Sequence, residues 1–198
     1  MEALKGLDYD YVPVNIGPAS EQKSESYLRL NPQGLVPALE HKGAVITQSS
    51  AIIEYLEEMF PDPALLPADP LTRARARAFA AAIAAEMHAL NNSGVHRYLA
   101  SEMGLDDAQR QNWYAHWAQK GFSALEALLA AGPDTPFCFG DKPTIADIFL
   151  VPQHLNYRRF KIDLSPYPRI NRIVARCEAL PPFQAAAPEA QPDYADGF

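Results

Sequence analysis

The chain has 198 residues, of which 48% are hydrophobic and 21% charged, and its formal net charge is -7 at pH 7. This length fits one compact domain or two small ones, since domains commonly have ~100–150 residues. General nucleic-acid binding is excluded because it needs a basic patch, and no local run of Lys and Arg supplies one. No stretch approaches the ~20 apolar residues of a membrane-spanning helix, and MEALKG at the start is not a secretory signal. We therefore expect a soluble, cytoplasmic protein.

The chain contains only two cysteines, Cys138 and Cys177, which are far apart and belong to no CxxC or Cys/His ligand pattern. This spacing indicates neither a disulfide framework nor a zinc site, so we expect no metal. Both cysteines are predicted to be core thiols in a reducing compartment.

A change of texture divides the sequence. Short strand-like and helical segments alternate from Leu7 to about Phe60, and after the proline-rich segment PDPALLPADP the pattern is helical almost throughout. We predict a small domain containing a sheet at 1–62 and an all-helical domain at 68–198.

The first domain is predicted to contain short elements in close succession. In chain order these are the end of a helix closed by Gly6, a strand from Tyr9 to Ile16, a short helix in SESYLRL, a strand from Leu35 to Leu39, and its partner from Gly43 to Thr47 across His41-Lys42. Ser49 or Ser50 is predicted to cap the helix that follows.

The second domain is predicted to consist of longer amphipathic helices. The first is a helix from Leu71 to Asn91 with Phe79, Ile83, Met87 and Leu90 on its core face, and the second is a helix from Asp106 to Ala130 with Trp113, Trp117, Leu125 and Leu128 on its core face. The third begins with a capping box at Thr144–Asp147, runs toward Phe160 and bends at Pro152. The last helix is predicted from Pro168 to Leu180. The tail after it is expected to be irregular.

The stretch NPQGLVPAL from Asn31, followed by TQSS from Thr47, is the most informative pattern. A strand with a central Val36-Pro37, followed by the N-terminus of a helix, offers backbone hydrogen-bonding groups and the positive end of a helix dipole. This arrangement predicts a site for a peptide-like, anionic ligand.

The whole chain resembles the zeta class of the glutathione transferases, a class that includes maleylacetoacetate and maleylpyruvate isomerases. The segments that carry the resemblance are KGLDYDYVPVN, LNPQGLVPALE, TQSSAIIEYLEE, PALLPADP, Asn91-Asn92, GDKPTIADIFLVPQ and RRFKIDLSPYPRI. The resemblance implies the glutathione transferase fold, with an α/β thioredoxin-like N-terminal domain, incomplete in this chain, and an all-α C-terminal domain. It also implies a homodimer.

The resemblance assigns glutathione as the cofactor and places its binding site on both domains. Val36-Pro37 is expected to be cis and to pair with the cysteinyl backbone, Gln48 and Ser49 to hold the γ-glutamyl end, and Gln22 to reach the glycyl end. The implied glutathione-binding residues are Gln22, Val36, Pro37, Gln48, Ser49, Ser50, His88 and Asn92. Arg158 and Arg159 are the implied contacts for a small anionic cis-enone acid.

Each of these residues also has a purely structural interpretation. Val36-Pro37 can be a turn that shapes the domain, Ser49 a simple helix cap, and the two arginines surface ion-pair partners. His88 and Asn92 are four apart and are expected to share one helix face, where a lone histidine is often structural. Both interpretations stay open at this point.

The resemblance also indicates a departure. Relatives in this class carry a Ser-rich SSCxWR-like turn at the start of their first helix, and MEALKG corresponds to the last turns of that helix. The catalytic group is therefore expected upstream of Met1. Either the start of the reading frame is placed too late, or the protein lacks the segment and cannot activate glutathione in the usual way.

Three functions follow from these observations. The first is a glutathione-dependent cis–trans isomerase of maleylacetoacetate or maleylpyruvate in aromatic-compound catabolism. The second is a general transferase or dehalogenase of small α-halo acids. The third is a non-catalytic protein that binds glutathione or another protein.

Overall fold

The protein, seen in a computed structural model that describes residues 1–17 and 20–194, forms two compact units. The first unit contains Met1–Pro63 and the residues from Pro181 onward, and the second contains Ala64–Leu180. In chain order the helices are α1 Glu2–Lys5, α2 Glu25–Leu30, α3 Ser49–Met59, α4 Pro70–Ala81, α5 Ser93–Ser101, α6 Asp107–Ala130, α7 Ile145–Arg159, α8 Pro168–Glu178 and α9 Pro181–Ala185. The strands are β1 Ala38–His41 and β2 Ala44–Thr47.

The two strands form an antiparallel hairpin in which Ala38 pairs with Thr47 and His41 with Ala44. The turn lies at Lys42-Gly43, one residue later than predicted, and both residues have positive φ. A tight hairpin turn of type I′ needs positive φ at both central positions, which favours Gly at the second. The first strand begins at Ala38 and not at Leu35.

The predicted strand from Tyr9 to Ile16 is wrong. This segment has no regular secondary structure, and the sheet of the described residues contains β1 and β2 alone. Alternating apolar residues form a strand only where a neighbouring strand supplies hydrogen bonds, and here Val12 is 76% exposed. The segment instead contacts the tail, because Tyr11 Oη donates to Asp193 Oδ1 at 2.9 Å.

Lys5 is a buried charge that holds α1 in place. Its Nζ lies 2.7 Å from Glu57 Oε2 and donates to the carbonyl oxygens of Phe60, at 2.6 Å, and Pro63, at 2.9 Å. These partners offset the cost of burying an ammonium group. As predicted, α1 ends at Gly6, which has the left-handed conformation.

The second unit is a helical bundle with a well-packed aromatic and aliphatic core. The side chains that are almost completely buried include Phe79, Ile83, Tyr114, Phe122, Leu125, Leu150, Tyr157, Ile170 and Val174. The predicted core face of α6 was partly wrong. Its buried residues are Tyr114, Ala118, Phe122, Leu125 and Leu129, whereas Leu128 is 58% exposed.

The predicted helix from Leu71 to Asn91 contains a change of geometry. After α4 the chain continues as a π-helical segment, Ala82–His88, which is an arrangement frequently found at functional sites. Met87 from this segment packs on Gly121 of α6 so closely that a Cβ at Gly121 would lie 2.6 Å from Met87 Sδ. A side chain at position 121 would therefore require the Met87 side chain to move.

The last part of the described chain contains α9 and a short 3-10 turn, Pro188–Ala190, and α9 packs against α1. The tail therefore belongs to the first compact unit. Among the described helices, none has the length and apolar content required to cross a membrane.

Candidate functional site

The loop that leads into β1 is organised by Asn31, which is buried. Asn31 Nδ2 donates to the carbonyl oxygen of Leu35 at 2.7 Å, and Asn31 Oδ1 accepts from the backbone N–H of Gln33 at 3.1 Å. Tyr27 Oη donates to the same Leu35 carbonyl at 2.8 Å. These bonds fix the backbone immediately before Val36.

Val36 and Pro37 lie at the open end of the hairpin, and the peptide bond between them is cis, as expected. Because Ala38 and Thr47 are the last pair of the ladder, Pro37 and Gln48 emerge at the same end. Val36 is 41% exposed. Its backbone N–H and C=O lie just beyond the ladder, where an extended peptide can pair with them as an added strand does.

The N-terminus of α3 lies beside this segment. The residue that caps the helix is Gln48, and Ser49 and Ser50 are already in its first turn, so the prediction of a serine cap was wrong. Gln48 has a φ of 72°, and its side chain makes no capping bond to the helix. The first N–H groups of a helix have no intrahelical partner, so this end of α3 can bind a carboxylate.

Two further side chains complete the polar environment of the first unit. Gln48 Nε2 donates to Gln33 Oε1 at 2.7 Å and so joins the loop to the start of α3. Gln22 is buried, and its Oε1 has no hydrogen-bond partner in the described part of the chain. The turn that carries it, Glu21–Lys23, packs closely on Gly34 of the loop.

His88 and Asn92 lie in the second unit. His88 ends the π-helical segment and lies beside the Gln153 side chain, and desolvation lowers the pKa of His88 while the contact with Gln153 opposes that shift. Asn92 is the N-cap of α5, a helix that the sequence did not predict. Its Oδ1 accepts from Val95 N–H at 3.0 Å and its Nδ2 donates to the Ala89 carbonyl at 3.0 Å. The two residues therefore do not share one helix face, because the helix ends between them.

The two candidate arginines at the end of α7 differ in their environment. Arg158 forms an ion pair with Glu178 of α8. Arg159 is exposed, and we find no ion pair for it within residues 1–17 and 20–194. A guanidinium without an internal partner is free to form the two-point contact that a carboxylate favours.

Both cysteines are buried around Asp147. Asp147 Oδ1 accepts from the backbone N–H of Cys138 at 2.9 Å and lies 3.9 Å from Cys177 Sγ, and its Oδ2 accepts from the backbone N–H of Thr144 at 2.8 Å. The predicted capping interaction between Thr144 and Asp147 is thus present. Burial, followed by the nearby Asp147, raises the pKa of both thiols. Within the described residues, no cluster of His, Cys, Asp and Glu could hold a metal ion.

Comparison with known proteins identifies the family. The glutathione S-transferase N-terminal domain matches residues 2–59 and the C-terminal domain of the same family matches residues 111–176. A maleylpyruvate isomerase from Ralstonia sp. is 48% identical over 193 residues, which are 97% of this chain and 91% of that protein. The chain belongs to the glutathione S-transferase family.

Two solved structures support the same assignment. The holo structure of a bacterial maleylpyruvate isomerase, described as a zeta-class glutathione S-transferase, has a TM-score of 0.95 and 47% identity and covers 98% of this chain and 92% of its own. A maleylacetoacetate isomerase from Methylobacterium extorquens, solved with malonate and GSH bound, has a TM-score of 0.93 and 34% identity and covers 98% and 91% of the two chains. The predicted combination of a thioredoxin-like domain and a helical domain is confirmed.

In this glutathione S-transferase, sequence reasoning missed the residues that hold the candidate site together. Asn31 begins the motif NPQGLVPAL, but only the structure shows that it is 2% exposed and fixes the loop. Gln33 and Gln153 are not predictable as site residues, because a single glutamine carries no periodic or spacing signal. A buried glutamine is recognised only when its neighbours are known.

Proposed function

We propose that this protein is a glutathione-dependent cis–trans isomerase that acts on maleylpyruvate or maleylacetoacetate. The observation that carries the proposal is the open end of the hairpin, where Val36-Pro37 lies just beyond the last ladder pair and beside the N-terminus of α3, whose first N–H groups lack intrahelical partners. The relatives named above as maleylpyruvate and maleylacetoacetate isomerases support the same activity.

Glutathione binding is proposed mainly on the first unit. Val36 and Pro37 pair with the cysteinyl backbone, Gln48, Ser49 and Ser50 hold the γ-glutamyl carboxylate, and Gln22 contacts the glycyl end. The related structure solved with bound GSH supports this choice of ligand. His88 is proposed as a contact from the second unit, and the predicted contact through Asn92 competes with the two hydrogen bonds that its amide already makes.

The chemistry is proposed to come from the thiol of glutathione. The thiolate adds to one carbon of the cis double bond, which is conjugated with a carbonyl, and the electron pair moves to the carbonyl oxygen. The resulting single bond rotates, and expulsion of the thiolate restores the double bond in the trans form. Glutathione is recovered unchanged.

The thiol of glutathione must lose a proton for this reaction, and free thiols have pKa values near ~8.5. The protein's own cysteines do not act as nucleophiles, since Cys138 and Cys177 are buried and their pKa values are raised. None of the described side chains is proposed to activate the thiol of glutathione.

Arg159 is proposed to bind the carboxylate of the substrate. It is exposed at the end of α7 in a chain of formal charge -7, so it offers a localised positive charge to an anionic substrate. Arg158 stays a predicted second contact, and its ion pair with Glu178 competes with that role. We also propose domain limits of 1–62 and 68–198, a homodimer and a cytoplasmic location, in keeping with the family resemblance.

The direct test is an isomerisation assay. Maleylpyruvate and maleylacetoacetate are each incubated with the protein in the presence of glutathione, glutathione with S-methylglutathione, S-methylglutathione alone or neither, and the trans product is measured. We expect turnover with glutathione alone and inhibition of that turnover by S-methylglutathione, which keeps the binding groups and lacks the thiol. Equal rates with and without glutathione would contradict the proposal. Stable conjugates without isomerisation would instead favour a general transferase.

A further inference from the structure

Three buried polar atoms lie near the contact between the π-helical segment and α7, and none of them has a hydrogen-bond partner among the described residues. They are Asn91 Oδ1, Gln153 Nε2 and Tyr157 Oη. The exposed fractions of these side chains are 1% for Asn91, 3% for Gln153 and 0% for Tyr157. Because an unpaired buried polar atom costs free energy, each of the three needs a partner.

The side chains that carry these atoms form a continuous row. Gln153 lies within hydrogen-bonding reach of both His88 and Tyr157, and Tyr157 within reach of both Gln153 and Asn91. The far end of the row is fixed. Asn91 Nδ2 donates to the Tyr114 carbonyl at 3.3 Å, and Tyr114 Oη donates to the Asn91 carbonyl at 2.8 Å.

The numbers of donors and acceptors allow one direction for the row. The unpaired atom of Asn91 is its Oδ1, an acceptor, so it accepts the hydroxyl proton of Tyr157. The Tyr157 oxygen then accepts from Gln153 Nε2, which leaves Gln153 Oε1 as an acceptor toward His88. All three unpaired atoms obtain a partner in this arrangement.

We propose that Gln153 and Tyr157 are positioning residues that hold His88 as a neutral imidazole, with its proton on the nitrogen that faces Gln153. The other ring nitrogen then carries a lone pair directed away from Gln153. The neutral form agrees with the lowered pKa of His88. A hydrogen bond to one ring nitrogen commonly decides which tautomer of a histidine is present.

This arrangement determines what His88 can bind. A neutral ring held in this tautomer accepts a hydrogen bond from a ligand N–H group and does not pair with a carboxylate. The inference rests on the proposed function, because it assigns His88 to an amide or ammonium N–H of glutathione. The π-helical geometry of Ala82–His88 places the histidine on the side of α7 that carries Gln153.

The experiment is ¹⁵N NMR of the histidine rings in the full protein at neutral pH, without glutathione. His154, which follows Gln153 on α7, is an internal reference, because its Nε2 lies 3.0 Å from Asn171 Oδ1 and is expected to hold the proton. In the native protein we expect His88 to show a single neutral tautomer. A mixture of tautomers or a protonated ring would overturn the proposal, and this measurement needs no variant.

Two substitutions at one position then separate positioning from packing. Gln153→Glu keeps an acceptor toward His88 and is expected to keep a proton on the facing ring nitrogen, with the pKa of His88 raised by the added negative charge. Gln153→Leu removes the acceptor and is expected to give a mixture of tautomers. The KM for glutathione should rise about fivefold or more in Gln153→Leu with kcat within about twofold, as for the loss of one binding hydrogen bond. An unchanged tautomer in Gln153→Leu would contradict the positioning role. A changed tautomer with an unchanged KM would support that role and contradict the assignment of His88 to glutathione.

Discussion

Gln48 Nε2 donates a 2.7 Å hydrogen bond to Gln33 Oε1, and this bond connects the loop before β1 to the start of α3. Gln48 has a φ of 72°, a region in which a residue other than glycine costs ~1–3 kcal/mol. Such strain is found mainly at ligand sites. The Gln33 contact holds the strained residue at the end of the hairpin, where the N-terminus of α3 is open.

The strain at Gln48 can be measured with two variants that remove the same hydrogen bond. Gln48→Gly relieves the backbone, whereas Gln33→Ala leaves it strained, so the free energy of unfolding should be about 1 kcal/mol higher in Gln48→Gly than in Gln33→Ala. Both variants should bind glutathione more weakly than the native protein. Urea unfolding and calorimetric titration provide the two measurements, and equal stabilities of the two variants would show that Gln48 is not strained.

The sequence predicted much of this site because its signals are local. A run such as NPQGLVPAL, with TQSS at a helix start, specifies a turn, a strand and a helix N-terminus within a short length of chain. The long helix α6 and the capping interaction of Thr144 with Asp147 were predicted for the same reason, since caps and helical periodicity are visible in the sequence.

What the sequence did not predict depends on tertiary contacts. The segment from Tyr9 to Ile16 alternates as a strand does, but the described residues contain no neighbour for it. Met87 of the π-helical segment packs against Gly121 of α6, and Asn92 caps the start of α5. These contacts depend on residues that meet only in the folded chain.

The two arginines of α7 are expected to behave differently. Arg159→Ala should raise the KM for the acidic substrate about tenfold or more with a smaller effect on kcat, because a charged two-point contact contributes ~2–3 kcal/mol. Arg158→Ala, the matched control, should change KM less than about twofold, because Arg158 is paired with Glu178 and exposed ion pairs contribute ~0–1 kcal/mol. Steady-state kinetics with saturating glutathione checks both values. Equal losses in the two variants would contradict this distinction.

Asn92 tests whether a cap can also be a ligand contact. Asn92→Ala should lower the free energy of unfolding by about 1 kcal/mol, and Asn92→Ser should recover most of it, since serine is also a good N-cap. Both ends of the native amide are engaged, so we expect the glutathione Kd of Asn92→Ser to stay within about twofold of the native value. A Kd that rises equally in both variants, measured by titration calorimetry, would instead identify Asn92 as a ligand contact.

Asp147 is expected to be essential for the stability of the helical unit. Its carboxylate accepts hydrogen bonds from Cys138 and Thr144, and it is fully buried. Asp147→Ala leaves those buried donors unpaired and should lower the free energy of unfolding by about 3 kcal/mol or more. The exposed N-cap Asp69 of α4 is the control, and Asp69→Ala should cost about 1 kcal/mol. Similar losses in the two variants, measured by urea unfolding, would show that the buried network adds nothing.

His96 should make the stability of the protein depend on pH in the range from about 7 to 5. Its ring lies against those of Tyr114 and Phe160, with centroid distances of 4.4 and 5.1 Å, and its Nε2 is buried without a partner among the described residues. Burial, followed by the charge of Arg110, lowers the pKa of His96 below its ordinary value. The unfolded chain, with a histidine pKa near ~6.5, therefore takes up a proton before the folded chain does.

The free energy of unfolding should decrease as the pH falls. The stability associated with neutral His96 is fully present above ~6.5 and is lost as the pH falls, with a slope of at most about 1.4 kcal/mol per pH unit for one proton. His96→Phe keeps an aromatic ring and should reduce the slope by up to that amount, whereas the exposed His116→Phe is the control for adding a phenyl ring. Because the native protein and His96→Phe differ only at His96, the difference between their unfolding curves isolates His96. A slope in His96→Phe equal to that of the native protein would show that the folded chain protonates His96 as readily as the unfolded chain does.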